Sequence, residues 1–233
     1  MELVITDVTR FHDPDKVCVA GISEQGNCLR PLDYFSIHEC KKYNIVPGSV
    51  IKGDFFPILN AQPPHTEDHE KSNIHFSRYT SVVEFFNLLN NDAKASIEEG
   101  FNVDLSNDRK CIPQNNPPIK SIITIKADPS KLNIVQSQYD NKSVRVSFVD
   151  GSHVEYRFMP LTDKYLYDYI YSADISQQMM FVNKLIQSQK HVFLRIGLGR
   201  VHPVGDRIGY WIQVNGVCTF PQWIKEARLH SKT

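Results

Sequence analysis

Alternation of apolar and polar positions is the strongest pattern in this chain, and it is sharpest at 143–158. There Val144, Val146 and Phe148 alternate with polar residues, and Val154, Tyr156 and Phe158 repeat the alternation beyond Asp150-Gly151. A period of two puts each set on one face, and Asp-Gly between two such runs predicts a hairpin with a tight primed turn. A looser version of the pattern predicts a hairpin from 17–22 and 28–32 across Ser23 to Asn27, preceded by a strand at 3–11. Short β-rich runs bounded by Gly and Pro follow at 122–126, 192–198 and 208–214. Three segments change period. Ile175, Met179, Val182 and Ile186 form a helical stripe with Asp174 or Ser176 as N-cap, Val82 to Ala93 presents Phe85, Phe86, Leu88 and Leu89, and a weaker pattern runs through the tyrosines of 162–172. Such stripes serve burial, so these helices are expected to plug or cap sheets.

Pro113, Pro117 and Pro118 interrupt both patterns within a polar stretch, which predicts a linker at 113–121 between an N-terminal unit, 1–112, and a C-terminal unit, 122–233. Each unit then has about 110 residues and about five short strands, which suits a small closed barrel such as an OB-fold. The expected fold class is mainly β with a few helices, two OB-like β-barrels in tandem. One ten-stranded sandwich is the alternative. No residue-by-residue repeat joins the two halves.

Composition changes this picture little: 233 residues that are 41% hydrophobic and 22% charged describe a folded globular chain. Charge changes it more. Residues 1–112 carry a net −6 and residues 113–233 a net +6, so the zero total conceals an acidic and a basic half. A basic half can face a polyanion, or the two halves can simply attract one another. Five cysteines without a C-x-x-C, and a start lacking a signal peptide's charged and apolar regions, predict a reducing, cytoplasmic setting. No apolar run is long enough for a bilayer, so no membrane role is expected.

The densest polar cluster is Pro63-Pro64-His65-Thr66-Glu67-Asp68-His69-Glu70. His65 and His69 would share a metal only on a helix, and no third ligand follows at a diagnostic spacing, so the cluster predicts a solvated turn or a salt-bridge knot. Arg30, an isolated cation in an acidic unit, is expected to hold Glu67 or Asp68, with a ligand as the alternative partner. Arg30, His65, Glu67 and Asp68 together are the candidate polar or ligand site. No Walker A loop, G-x-G-x-x-G or nucleophile elbow occurs, so neither catalytic residues nor cofactors are assigned. Gly197 is expected to mark a close backbone approach or a bulge, and Cys18 and Cys28 to be inert core residues.

The other candidate is the basic, aromatic stretch from Lys190 to Gln213. Period two puts Val192, Leu194, Ile196 and Leu198 on an inner face and leaves Phe193 and Arg195 facing outward, with Arg200, His202 and Arg207 in the loop beyond and Trp211 after it. Guanidinium groups for phosphates and rings for bases make a single-strand binding surface. Lys190, Phe193, Arg195, Arg200, His202, Arg207, Trp211 and Gln213 are its candidate residues.

The runs KVCVAGIS-EQGN-CLRPL, PPHTEDHE and FLRIGLGRVHP-VGDRIGYWIQVNGVCTFPQW resemble a family of bacterial dual OB-domain proteins over nearly the whole chain. The resemblance implies two OB-type barrels and nucleic-acid binding, accessory to mobile-element or defence systems, and Arg30, His65, Glu67, Asp68, Arg195 and Arg200 fall where the pattern is most recognisable. The acidity of 1–112 departs from two phosphate-gripping barrels. The expected function is therefore non-enzymatic binding of DNA or RNA, single strands favoured, with a protein partner encoded nearby as a further expectation. A nucleotide or small-ligand sensor using the interdomain cleft, a protein-interaction scaffold and a metal-dependent nuclease remain as alternatives.

Overall fold

The computed structural model describes residues 1–137 and 143–222; residues 223–233 of the expected second domain lie outside the described residues. The chain opens with β1 (Glu2–Arg10), β2 (Lys16–Ser23), β3 (Cys28–Leu32), β4 (Phe35–Ser36), α1 (Ile37–Lys42), β5 (Ser49–Pro57) and β6 (Asp68–Tyr79). β1 pairs antiparallel with β2 and with β5, β5 pairs with β6, and β6 runs parallel to β3, which returns to β2. The ring is closed, which removes the free edges an open sheet would have. Leu3, Ile5, Val17, Val19, Leu29 and Ile51 fill its interior. The expected β2–β3 hairpin forms, with Gly26 at φ 82, where a Cβ would be strained. At the start of α1 the Ser36 hydroxyl accepts from the Glu39 N–H while the Glu39 carboxylate accepts from the Ser36 N–H.

The chain continues with α2 (Val82–Asp92), α3 (Ile97–Phe101), β7 (Cys111–Pro113), β8 (Ile122–Ala127), β9 (Asn133–Gln136), β10 (Val144–Val149), β11 (Glu155–Pro160), α4 (Lys164–Tyr171), α5 (Ile175–Gln187), β12 (His191–Leu198), β13 (His202–Val204) and β14 (Arg207–Phe220). β8 pairs with β12, β12 with β14 and β10 with β11. Two single bridges, Ala127 to Asp150 and the parallel Leu161 to Val214, complete the same ring order. β8, β10, β11, β12 and β14 thus repeat the connectivity of β1, β2, β3, β5 and β6, with α4 and α5 where the first half has α1. The fold is two OB-like barrels in tandem, the first fully laddered and the second partly open.

The hairpin expected at 143–158 forms, but its turn is wider than two residues. Val149 pairs with Glu155, and the buried Asp150 carboxylate accepts from the N–H groups of Ser152 and Val154, organising a five-residue loop in place of a primed Asp-Gly turn. Gly197 lies where expected, with an added Cβ meeting the Asn215 side chain, and the β12–β14 ladder shifts register beside it.

The cores do not part at 113–121. Ile97, Phe101, Leu105 and Ile112 pack in the second core, and β7 pairs with β14. Phe85 and Leu89 of α2 cover the outer face of β12 and β14 at Phe193, Cys218 and Phe220. The stretch expected as a linker is tied down at its end, where Lys120 forms a backbone β-bridge with His65 and Ser121 is fully buried. The acidic segment after residue 80 therefore contributes its apolar faces to the basic barrel. Tyr165 of α4 reaches back into the first core, its hydroxyl donating to Ile45 O at 2.6 Å. Among the described residues no helix is long and apolar enough to cross a membrane.

Candidate binding site between the barrels

The parallel register of β3 and β6 sets Arg30 opposite Asp68, and the expected pair forms, Arg30 Nε to Asp68 Oδ1 at 2.5 Å. The loop joining β5 to β6 carries His65 and Glu67. Arg30 Nη2 donates to His65 Nδ1 at 2.9 Å, and Arg30 Nη1 donates to the Ser121 hydroxyl. Glu67 crosses to the second barrel, its carboxylate accepting from the N–H groups of Ser121 and Ile122 at 2.6 and 2.8 Å. From the other side Arg200, in the loop between β12 and β13, donates to Asp68 Oδ2 at 2.8 Å. Arg30, His65, Glu67 and Asp68 are all buried, so the cluster is the salt-bridge knot and not the solvated turn.

The protonation states follow from these contacts. Burial pushes the Glu67 carboxyl up, against the hydrogen bonds it accepts. Burial works the same way on Asp68, but the Arg30 and Arg200 contacts outweigh it and hold that carboxyl below its usual range. His65 is lowered to about 4 by burial and by the Arg30 charge, so its ring is neutral near pH 7. A guanidinium offers only donors, hence Nδ1 accepts and the ring proton sits on Nε2. Nε2 is buried and has no hydrogen-bond partner, a state that costs about 1–3 kcal/mol. His65 lines a cavity of about 360 Å³, with Asp68, Arg200, Val201 and Tyr210 and the loop residues Ile58, Ala61, Gln62 and Pro63.

Two candidates from the basic stretch are corrected. Phe193 and Arg195 do not face outward: both are buried, because α2 and the first barrel cover the outer face of β12 as the barrel interior covers the inner one. Arg195 is 0% exposed and holds Asp7 at 2.8 Å, Asp92 at 3.2 Å and the Thr124 hydroxyl at 2.6 Å, with Cys28 Sγ at 3.3 Å. Burial opposes its charge, but the groups around it, Asp7 first and Asp92 among them, together outweigh that cost and hold the guanidinium charged. The Cys18 and Cys28 thiols are pushed up to about 12 by burial, which leaves both inert as nucleophiles at neutral pH.

The remaining candidates separate. Arg207 lies over the Trp211 ring at 4.7 Å and pairs with Asp108 at 2.8 Å, while Trp211 Nε1 donates to His202 O at 3.0 Å. Gln213, two residues along β14, donates to Asn215 Oδ1. Ile208 and Val204 are exposed on the same hairpin. Lys190 is exposed at the opposite end of β12, roughly 25 Å from that hairpin at ~3.3 Å per residue. Asp7, Asp92, Ser121, Thr124 and Tyr210 were not among the sequence candidates. Asp7 alone carried a signal, an acid inside the β-rich run ELVITDV.

Compared with known families, the chain matches the dual OB-containing domain (DuOB) over residues 1–217. It belongs to that family. Comparison with curated proteins gives no match. In this DuOB chain the loops that join the fourth ring strand to the fifth, β5 to β6 and β12 to β14, meet at the cavity: Ile58 to His65 come from one, Arg200 and Val201 from the other. In OB barrels this loop is one of those that reach ligands. His65 and His69 lie in a loop and on a strand rather than on one helix face, and among the described residues no group of three or more His, Cys, Asp or Glu is placed to hold a metal ion.

Proposed function

We propose that this DuOB chain binds single-stranded nucleic acid, without acting on it as an enzyme, through the hairpin surface of its second barrel. The observation that carries this reading is the Arg207 guanidinium over the Trp211 ring at the start of β14, the fifth ring strand. Half-exposed Arg200 and Arg207 can meet phosphates, and Trp211 with the exposed Val204 and Ile208 can meet bases. The net +6 of residues 113–233 favours the approach of a polyanion. Arg200, His202, Arg207, Trp211 and Gln213 form the proposed surface; Phe193 and Arg195 are buried and Lys190 stands apart. Fluorescence anisotropy with a labelled single-stranded oligonucleotide over a salt series tests this. Substituting Arg200 or Arg207 by Ala should lower the salt slope by ~0.7 for each phosphate that is no longer neutralised. Absent or salt-independent binding by the folded wild type overturns the proposal.

A further inference from the structure

The cavity between the barrels has a chemical asymmetry. On its polar side His65 Nε2 is an unpartnered N–H, Arg200 has guanidinium N–H groups beyond the one given to Asp68, both Asp68 oxygens already accept from Arg30 and Arg200, and Gln62 adds a neutral amide. The remaining wall is apolar, with Ile58, Ala61, Pro63 and Val201 beside the Tyr210 ring. Tyr210 meets the His65 ring edge-to-face at 5.9 Å, which puts an aromatic side chain in the cavity lining beside the imidazole. A site of this make-up suits an anionic head on a flat, weakly polar body, and about 360 Å³ lies within the range of small-ligand pockets.

We propose that the cavity is a mononucleotide site, in which phosphate oxygens accept from His65 Nε2 and Arg200 while the base lies against Tyr210 and Val201. Arg30 is the positioning residue: by donating to Nδ1 it fixes the tautomer that leaves the proton on Nε2. The two loops that build the site come from different barrels, so it exists only while the barrels are docked. The nucleotide can be free or the phosphorylated end of a strand held on the neighbouring hairpin, and Arg200 borders both places. Binding of a free nucleotide shares Arg200 with the proposed strand-binding surface but does not depend on Arg207 or Trp211.

The test is calorimetric titration of the full chain with nucleoside 5′-monophosphates and separately with inorganic phosphate, alongside oligonucleotides with and without a 5′-phosphate. His65→Asn keeps an oxygen near the Nδ1 position to accept from Arg30 but places no donor at Nε2, and Arg200→Met keeps the aliphatic stem without the charge. Wild type should bind nucleotides more tightly than phosphate, and each variant should weaken this about tenfold or more while its melting temperature stays close to wild type. Trp211→Ala should leave free-nucleotide affinity unchanged. Failure of folded wild type to bind any mononucleotide at millimolar concentration, equal binding of phosphate and nucleotides, or unchanged affinity in His65→Asn overturns the assignment. Oligonucleotide binding that persists, sensitive to Trp211→Ala, would leave the strand-binding reading standing alone. Tighter binding of the 5′-phosphorylated oligonucleotide identifies the strand end as the source; no preference identifies the free nucleotide.

Discussion

Two arginine networks cross the junction between the barrels, and they are finished differently. Arg195 is itself fully buried and bonded to Asp7, Asp92, Thr124 and Cys28, and one Asp7 oxygen, Oδ2, is buried beside it without a partner. Arg30 is also buried, but its network borders a cavity lined by the half-exposed Arg200 and by His65, whose buried Nε2 has no partner. Each network keeps one buried polar atom without a partner, Asp7 Oδ2 in one and His65 Nε2 in the other. The identity of the residues does not separate the two cases, since both are arginine–aspartate pairs. What separates them is the cavity that His65, Asp68 and Arg200 line, which gives the second network room for a ligand.

The largest effect should come from breaking the closed network. Asp7→Ala leaves the Arg195 charge buried without its nearest carboxylate, and removal of one partner of a buried pair costs about 3–5 kcal/mol. Urea unfolding should register that loss, and the Asp7→Ala/Arg195→Met double variant should lose less than the sum of the two single losses. A fully additive double variant would mean that Arg195 and Asp7 are not coupled as described.

The open network should be the pH-sensitive one. The unfolded chain protonates His65 near its ordinary 6.5, whereas the folded protein does so only near 4, so the unfolded state binds more protons between these values. Stability therefore falls as pH drops from 6.5 toward 4, by on the order of 1 kcal/mol per pH unit, and levels off below. Glu67, whose carboxyl is raised, acts in the opposite sense, losing stability as pH rises through its folded value. The difference between wild type and His65→Asn isolates the histidine: thermal melts should show a shallower loss in the variant. Parallel curves would place the proton elsewhere.

The smallest effects on stability belong to the surface. Trp211→Ala should reduce oligonucleotide affinity by ~1–3 kcal/mol with little change in melting temperature. Lys190→Ala should alter neither. A Lys190 variant that binds as poorly as the Trp211 variant would extend the contact surface to the far end of β12.

The sequence shows these features unevenly, for physical reasons. Alternation is legible where one face of a strand is wet, so the 143–158 hairpin and the β2–β3 hairpin could be placed, as could the helical stripes of α2, α4 and α5. Arg30 was legible as a partner for Glu67 or Asp68 because it is an isolated cation, the nearest others being Lys16 and Lys41, in a unit rich in acids. β5 and β6 went unread, since a barrel strand bearing Glu70, Lys71, Ser72 and Asn73 looks locally like a loop. Phe193 and Arg195 were misread for the converse reason: nothing near them in sequence announces that α2, about a hundred residues earlier, covers the face they occupy. Proline content marked 113–121 as a joint, but β7 is paired with β14 and Ser121 is buried, contacts that only the fold supplies.

Hydrogen–deuterium exchange of the full chain, with and without a saturating single-stranded oligonucleotide, tests the central claim most directly. Binding on the hairpin surface should slow exchange across 199–213, and at 58–65 if the strand reaches the cavity, while α2 and the groove between β9 and α5 stay unchanged. Protection concentrated on the β9–α5 groove, or none at 199–213 in a complex that forms, would contradict it.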